Sequence, residues 1–171
     1  MKEMVLAVVP VGLNREELET VGRALARLED FIFEVEMASG YSVPDAAFDG
    51  LRGQYVADDF LLFDTNMDYD RLLVVTNVDI YSRDLNFVFG IAQLDGKKAV
   101  VSIYRLRSKD ELFEVRFLKE VMHELGHTLG LAHCVSPRCV MHYSQCLRDT
   151  DVKGCDVCPQ CSERLQRLPS R

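Results

Sequence analysis

No cysteine occurs before position 134 in this 171-residue chain, and no histidine before position 123. The first 122 residues therefore offer neither a thiol nor an imidazole, which excludes a disulfide framework or a cysteine-based redox site from most of the sequence. Long apolar runs are missing as well. Val5 to Leu13 is too short to span a bilayer and is interrupted by Pro10 and Gly12, so it reads as a buried strand and not as a targeting segment. With no signal peptide in view, the expected compartment is the cytoplasm. Surplus positive charge is also absent: net charge is −7 and the pI is near 5.1, which argues against nucleic acid as a partner. Internal repeats and low-complexity linkers are lacking too. The expectation is one domain over 1–171, divided into an N-terminal subdomain (1–131) and a smaller C-terminal subdomain (132–171).

What the chain does contain is concentrated late. Three of its four histidines fall in His123-Glu124-Leu125-Gly126-His127-Thr128-Leu129-Gly130-Leu131-Ala132-His133, an H-E-x-x-H-x-x-G-x-x-H pattern. Side chains four apart share a helix face, so the imidazoles of His123 and His127 can grip one ion. Glu124 leans to the same side and is placed to act on a water at that ion as general base. On a straight helix His133 would lie roughly 9 Å further along the axis than His127, whereas a zinc–imidazole bond is only about 2.0–2.1 Å. The helix must therefore stop and the chain turn back. Gly130 stands where the reversal is needed, and glycine accepts the left-handed backbone that ends helices. Three neutral ligands leave a fourth position open, the arrangement of a catalytic zinc site acting on an amide bond. Upstream, Ser108-Lys109-Asp110-Glu111 has the form of a capping box and predicts a helix starting near Lys109. Phe113, Phe117, Val121, Leu125 and Leu129 form its core-facing stripe, with His123 and His127 off that stripe.

All six cysteines follow: Cys134, Cys139, Cys146, Cys155, Cys158 and Cys161. Four thiolates at such spacings fit a closed, structural zinc site, while a disulfide reading needs an oxidising compartment. Cys158-Pro159-Gln160-Cys161 is a C-x-x-C, but so is Cys155 to Cys158, and spacing alone leaves that pair undecided.

The run from His123 to His133, with Cys134 immediately after it, then Cys139, Met141, Cys158 and Cys161, resembles the archaemetzincins, zinc metallopeptidases of the metzincin clan. The resemblance covers about the last third of the chain directly. It implies that His123, His127 and His133 hold a catalytic zinc with Glu124 as base. It implies a second, structural zinc on Cys134, Cys139, Cys158 and Cys161, leaving Cys146 and Cys155 as extra thiols. Met141 would be the methionine of the turn beneath the histidines. The following His142-Tyr143 also resembles the astacin-like turn, which makes Tyr143 a candidate zinc ligand or oxyanion donor, the alternative being a packed surface tyrosine. His142 reads as a supporting or exposed residue.

The remaining pattern predicts a mixed α/β fold: a metzincin-like mixed sheet backed by helices, the zinc helix, and a small zinc-stapled C-terminal part. Strands are expected at Met4–Pro10, Phe31–Glu36, Leu72–Thr76, Phe87–Leu94 and Lys98–Tyr104, the last two joined at Asp95-Gly96. Asn14 caps a helix with Leu18, Val21, Leu25 and Leu28 on its apolar face. Residues 38–53 read as loop, Gln54–Phe63 as a short helix, and Ser162–Leu168 as a last helix. By resemblance Asn86–Gln93 is the edge that binds extended substrate. The expected partner is a peptide or unfolded-protein substrate, bound by a monomer, with no membrane partner. A competing class is a non-catalytic, zinc-stapled binding module, against which the intact Glu124 argues. No inhibitory propeptide is evident, since a cysteine switch would need an upstream thiol.

Overall fold

The computed structural model describes residues 4–31, 33–108 and 111–168. The apolar run at the start forms β1 (Met4–Val11), and α1 (Arg15–Ala26) follows behind a complete capping box: Asn14 accepts from the Glu17 backbone N–H and Glu17 accepts from that of Asn14. Val21, Ala24 and Leu25 face inward, as does Leu28 in the 3-10 turn after the helix, whereas Leu18 stays exposed. Then come β2 (Phe33–Met37), β3 (Phe48–Asp49), β4 (Gln54–Val56), α2 (Ala57–Phe60), β5 (Arg71–Thr76), β6 (Ile80–Tyr81), β7 (Gly90–Ala92) and β8 (Lys98–Ser102). The chain closes with α3 (Leu112–Thr128), α4 (Leu147–Val152) and α5 (Pro159–Arg167).

Five strands make one sheet in the order β2-β1-β5-β8-β7, parallel except for the antiparallel β7–β8 pair. Alternation divides its side chains cleanly. Leu6, Val8, Leu73, Val75, Ala99 and Val101 meet α1 and α3 on one face. Val9, Val11, Leu72, Val74 and Val100 meet Ala57, Phe60 and Ile80 on the other. Burial on both faces explains the near-continuous apolar runs of β1 and β5. A small sheet, β3-β4-β6, covers the second face. A third apolar cluster, Leu131, Cys134, Cys139, Val140, Met141 and Cys161, belongs to the C-terminal part.

The structure corrects several expectations. Gln54–Phe63 is not one helix: Tyr55 and Val56 pair with Ile80 and Tyr81, and only four residues of helix follow. Tertiary pairing overrides the helical pattern for two residues that favour strands. The strand expected over Phe87–Leu94 is confined to Gly90–Ala92, and the one over Lys98–Tyr104 ends at Ser102. Strand β6 and helix α4 have no counterpart among the expected elements. Glu111 stands at the N-cap of α3 without a side-chain cap bond; the helix start expected near Lys109, with its capping box from Ser108 to Glu111, falls on Lys109 and Asp110, which lie outside the described residues.

The C-terminal part is pinned to α3 by buried charge. Lys153, fully buried, places Nζ 3.0 Å from Oε1 of Glu120, which is only 3% exposed. Thr150 Oγ1 donates to the same oxygen at 2.9 Å, and Lys119 Nζ donates to the carbonyls of Thr150 and Asp151. Lys153→Met should therefore strand a buried carboxylate and cost about 3–5 kcal/mol. Adding Glu120→Gln should recover much of that loss, measured as the midpoint of urea unfolding; equal midpoints for wild type and Lys153→Met would show the pair to be dispensable.

Candidate metal centre

Helix α3 ends through a Schellman arrangement: Leu131 N–H bonds the Gly126 carbonyl at 3.0 Å and Gly130 N–H bonds that of His127 at 2.9 Å. Gly130 takes φ 93°, the left-handed conformation expected of it. The reversal brings His133 back over the helix. The rings of His123, His127 and His133 stand 4.7–5.2 Å apart between centroids. One ligand atom from each lies within 4.8 Å of the others.

The orientation of these rings carries the chemistry. His123 Nδ1 is 2.7 Å from the Val140 carbonyl, and His127 Nδ1 is 2.7 Å from the Leu131 carbonyl. A carbonyl can only accept, so each Nδ1 carries the proton and each Nε2 presents a lone pair. Those two Nε2 atoms face each other at 3.1 Å. Two lone pairs that close repel unless a cation lies between them. Two nitrogens bound to one tetrahedral zinc at about 2.0–2.1 Å would sit about 3.3 Å apart. The residues present therefore fit zinc. Burial pushes the His123 imidazole down to about 2, helped by the Lys153 ammonium. His127 and His133 are lowered for the same first reason. Neutral imidazoles are what a metal requires.

Glu124 lines the same cleft, a hollow of about 470 Å³ that also involves Glu120, Tyr143, Ser144 and Gly90 to Ala92. Burial holds its carboxyl well above the usual range, the Glu120 charge adds to this, and Lys153 opposes it. Tyr143 stacks near His133, centroids 5.1 Å apart, and reaches the cleft. His142 turns away: Nδ1 pairs with the Cys134 carbonyl at 2.9 Å, and its own carbonyl accepts from Lys153.

Two glycines shape the site although neither bears a ligand, and reading for ligands passes over them. A Cβ on Gly126 would come 2.3 Å from Met141 Sδ, so the thioether packs directly against the helix between the two histidines. Glycine inside a helix costs about 1 kcal/mol relative to alanine, and such a residue in a well-formed helical pattern is a readable signal of close packing. A Cβ on Gly90 would meet the Val100 carbonyl at 2.5 Å and Glu124 Cγ at 2.8 Å. The edge strand and the glutamate are thus in contact. Only a lone glycine in a strand pattern hints at it.

Below the histidines, Cys134, Cys139, Cys158 and Cys161 converge, their sulfurs all within 4.8 Å. Cys155 and Cys146 stand outside this group, which decides between the two C-x-x-C registers. Cys134 Sγ and Cys158 Sγ are 3.7 Å apart, close to the about 3.8 Å of two sulfurs on one tetrahedral zinc; no disulfide forms. The Cys161 backbone N–H at the start of α5 holds the Cys158 thiol down to about 7. Burial pushes Cys134 and Cys161 up. The donor set and its spacing fit one tetrahedral zinc.

Comparison with known proteins agrees with this geometry. The model of Peptidase family M54 matches residues 1–167. The chain is similar to an archaemetzincin of Methanopyrus kandleri, 42% identical over 151 residues and covering 86% of each chain. It is similar to one of Pyrococcus abyssi at 37% identity, covering 97% of this chain and 96% of that one. Among solved structures, the Methanopyrus kandleri archaemetzincin superposes with a TM-score of 0.86 at 39% identity, covering 97% and 95% of the two chains. The Archaeoglobus fulgidus archaemetzincin complexed with malonate gives 0.85 at 34%, covering 94% and 99%.

Gly126→Ala should crowd Met141 and cost about 1–3 kcal/mol, with zinc lost from the histidine cluster. The double variant with Met141→Ala should be no less stable than Met141→Ala alone, the mark of two groups contending for one volume. Thermal unfolding with zinc counting checks both; additive losses would rule out the contact.

Proposed function

The chain belongs to peptidase family M54 and is a zinc metallopeptidase, and from that premise we propose that it cleaves peptides or unfolded protein with Glu124 as general base. His123, His127 and His133 hold the catalytic zinc in this reading, and Cys134, Cys139, Cys158 and Cys161 hold a second zinc that is structural. The observation that carries it is the pair of opposed Nε2 lone pairs at 3.1 Å beside a buried carboxylate in an open cleft. The methionine packed under the histidines supports placement in the metzincin clan.

Zinc held by the three imidazoles supplies Lewis acidity, lowering the pKa of water and polarising the carbonyl under attack. The remaining work falls to the chain. Glu124, its proton affinity raised by burial, accepts the proton of the attacking water and passes it to the departing nitrogen. Tyr143 is the candidate donor to the developing oxyanion. Strand β7 supports an extended substrate: Phe89 and Gln93 direct backbone bonds towards β8. By the alternation of an antiparallel ladder, Gly90 and Ala92 then turn theirs to the open edge. Among the described residues no helix is long and apolar enough to cross a membrane. We place the protein in the cytoplasm, as a monomer.

Glu124→Gln should keep its zinc and lose at least about a hundredfold in turnover on quenched peptides, the loss expected of a missing general base. Turnover close to wild type would remove Glu124 from the mechanism. Cys158→Ser should release one metal equivalent and destabilise the C-terminal part; an unchanged metal count would move the thiol site elsewhere. Chelator should abolish cleavage by the wild-type protein.

A further inference from the structure

One wall of the cleft plays no part in the chemistry above. Residues 82–89 run from β6 into β7, and Ser82, Arg83, Leu85, Val88 and Phe89 of this segment line the cleft. The wall is fastened from outside it. Arg52, which does not line the cleft, donates from Nη2 to the Leu85 carbonyl at 2.7 Å and to the Asn86 carbonyl at 3.2 Å. Its Nε donates to Gln54 Oε1 at 3.1 Å, and Gln54 Nε2 donates in turn to the Asn86 carbonyl at 2.8 Å. The guanidinium lies 3.6 Å from the centroid of the Tyr81 ring. Tyr81 is held by its hydroxyl to Asp49 at 2.7 Å, and Asp49 also accepts from the backbone of Leu51 and Arg52.

A planar fork stacked on an aromatic face has its orientation settled before it meets an acceptor. Here the acceptors are two consecutive carbonyls of a loop that carries no regular ladder of its own. Without the fork the Leu85 carbonyl would turn to water and the Asn86 carbonyl would keep only Gln54 Nε2, so the segment entering β7 would be held at one point instead of two. Leu85 is 42% exposed, an apolar side chain left uncovered at the cleft rim, with Leu61, Val88 and Ile91 also in the lining.

Resting on the peptidase reading, we propose that Arg52 is a positioning residue for substrate. By fixing the carbonyls of Leu85 and Asn86 it sets the wall against which an apolar substrate side chain packs. It acts on binding and not on the reacting atoms, which Arg52 does not touch. The substrate class is accordingly peptides with a large apolar side chain next to the scissile bond.

The test compares wild type, Arg52→Met and Arg52→Lys, all zinc-loaded, on two quenched peptides that carry leucine or glycine at the flanking position. Arg52→Met should raise KM for the leucine peptide about tenfold, with kcat within about twofold and zinc content unchanged. It should leave the glycine peptide nearly unaffected. Arg52→Lys, which keeps the cation over Tyr81 and a donor, should fall between. Amide hydrogen exchange over residues 85–92 should quicken in Arg52→Met and stay unchanged in α3. An unchanged KM in an active series overturns the proposal alone, as does a fall in kcat that tracks lost zinc. Absence of chelator-sensitive cleavage by the wild type overturns the peptidase reading, and the substrate role of Arg52 with it.

Discussion

An imidazole has two nitrogens, and the hydrogen bond made by one decides what the other can do. In this molecule the backbone makes that decision. Val140 and Leu131 each offer a carbonyl to an Nδ1, so that two lone pairs are aimed at one point. Neither carbonyl comes from the helix that carries the histidines: both belong to the chain after its reversal. Leu131 is set by the Schellman turn itself. Val140 lies between Cys139 and Met141, and its own N–H is tied to Asp156. The aim of His123 thus depends on the segment that the cysteines gather, and the histidine and cysteine clusters are joined through a few peptide units. His133 and Cys134 make the same join covalently.

Electrostatics follows from that arrangement. The helix face that carries Glu124 also carries Glu120 one turn earlier, and burial, then the Glu120 charge, raise the proton affinity of Glu124. Lys153 answers this from the C-terminal part, buried and bonded both to Glu120 and to the His142 carbonyl. A single ammonium therefore fastens the methionine turn to α3 and compensates the carboxylate beside Glu124. Such a lysine has no use for solvent, which is why it can be wholly covered.

The histidine cluster is legible in the sequence because its members are local: the 123–127 spacing is a property of one helix, and Gly130 announces the turn that His133 needs. The choice among the cysteines is less so. Cys155 and Cys161 are equally spaced from Cys158, and the decision is made by the start of α5, where Pro159 occupies the first turn and the Cys161 N–H points back at Cys158. Strands β4 and β6 stay hidden, since pairing between Tyr55–Val56 and Ile80–Tyr81 is too short to impose a period. No local pattern marks Lys153 as a residue that the fold will bury. The clamp on the cleft wall joins positions 52 and 85, a separation no local pattern encodes.

The five-stranded sheet ends in two strands of opposite character. At one end β2 displays Glu34 and Glu36, both exposed, and a row of carboxylates repels any further strand that would add there. At the other end β7 presents Gly90, Ile91 and Ala92, with no formal charge among them. The first rim thus repels a ladder that would extend the sheet, while the second sets no charge against one.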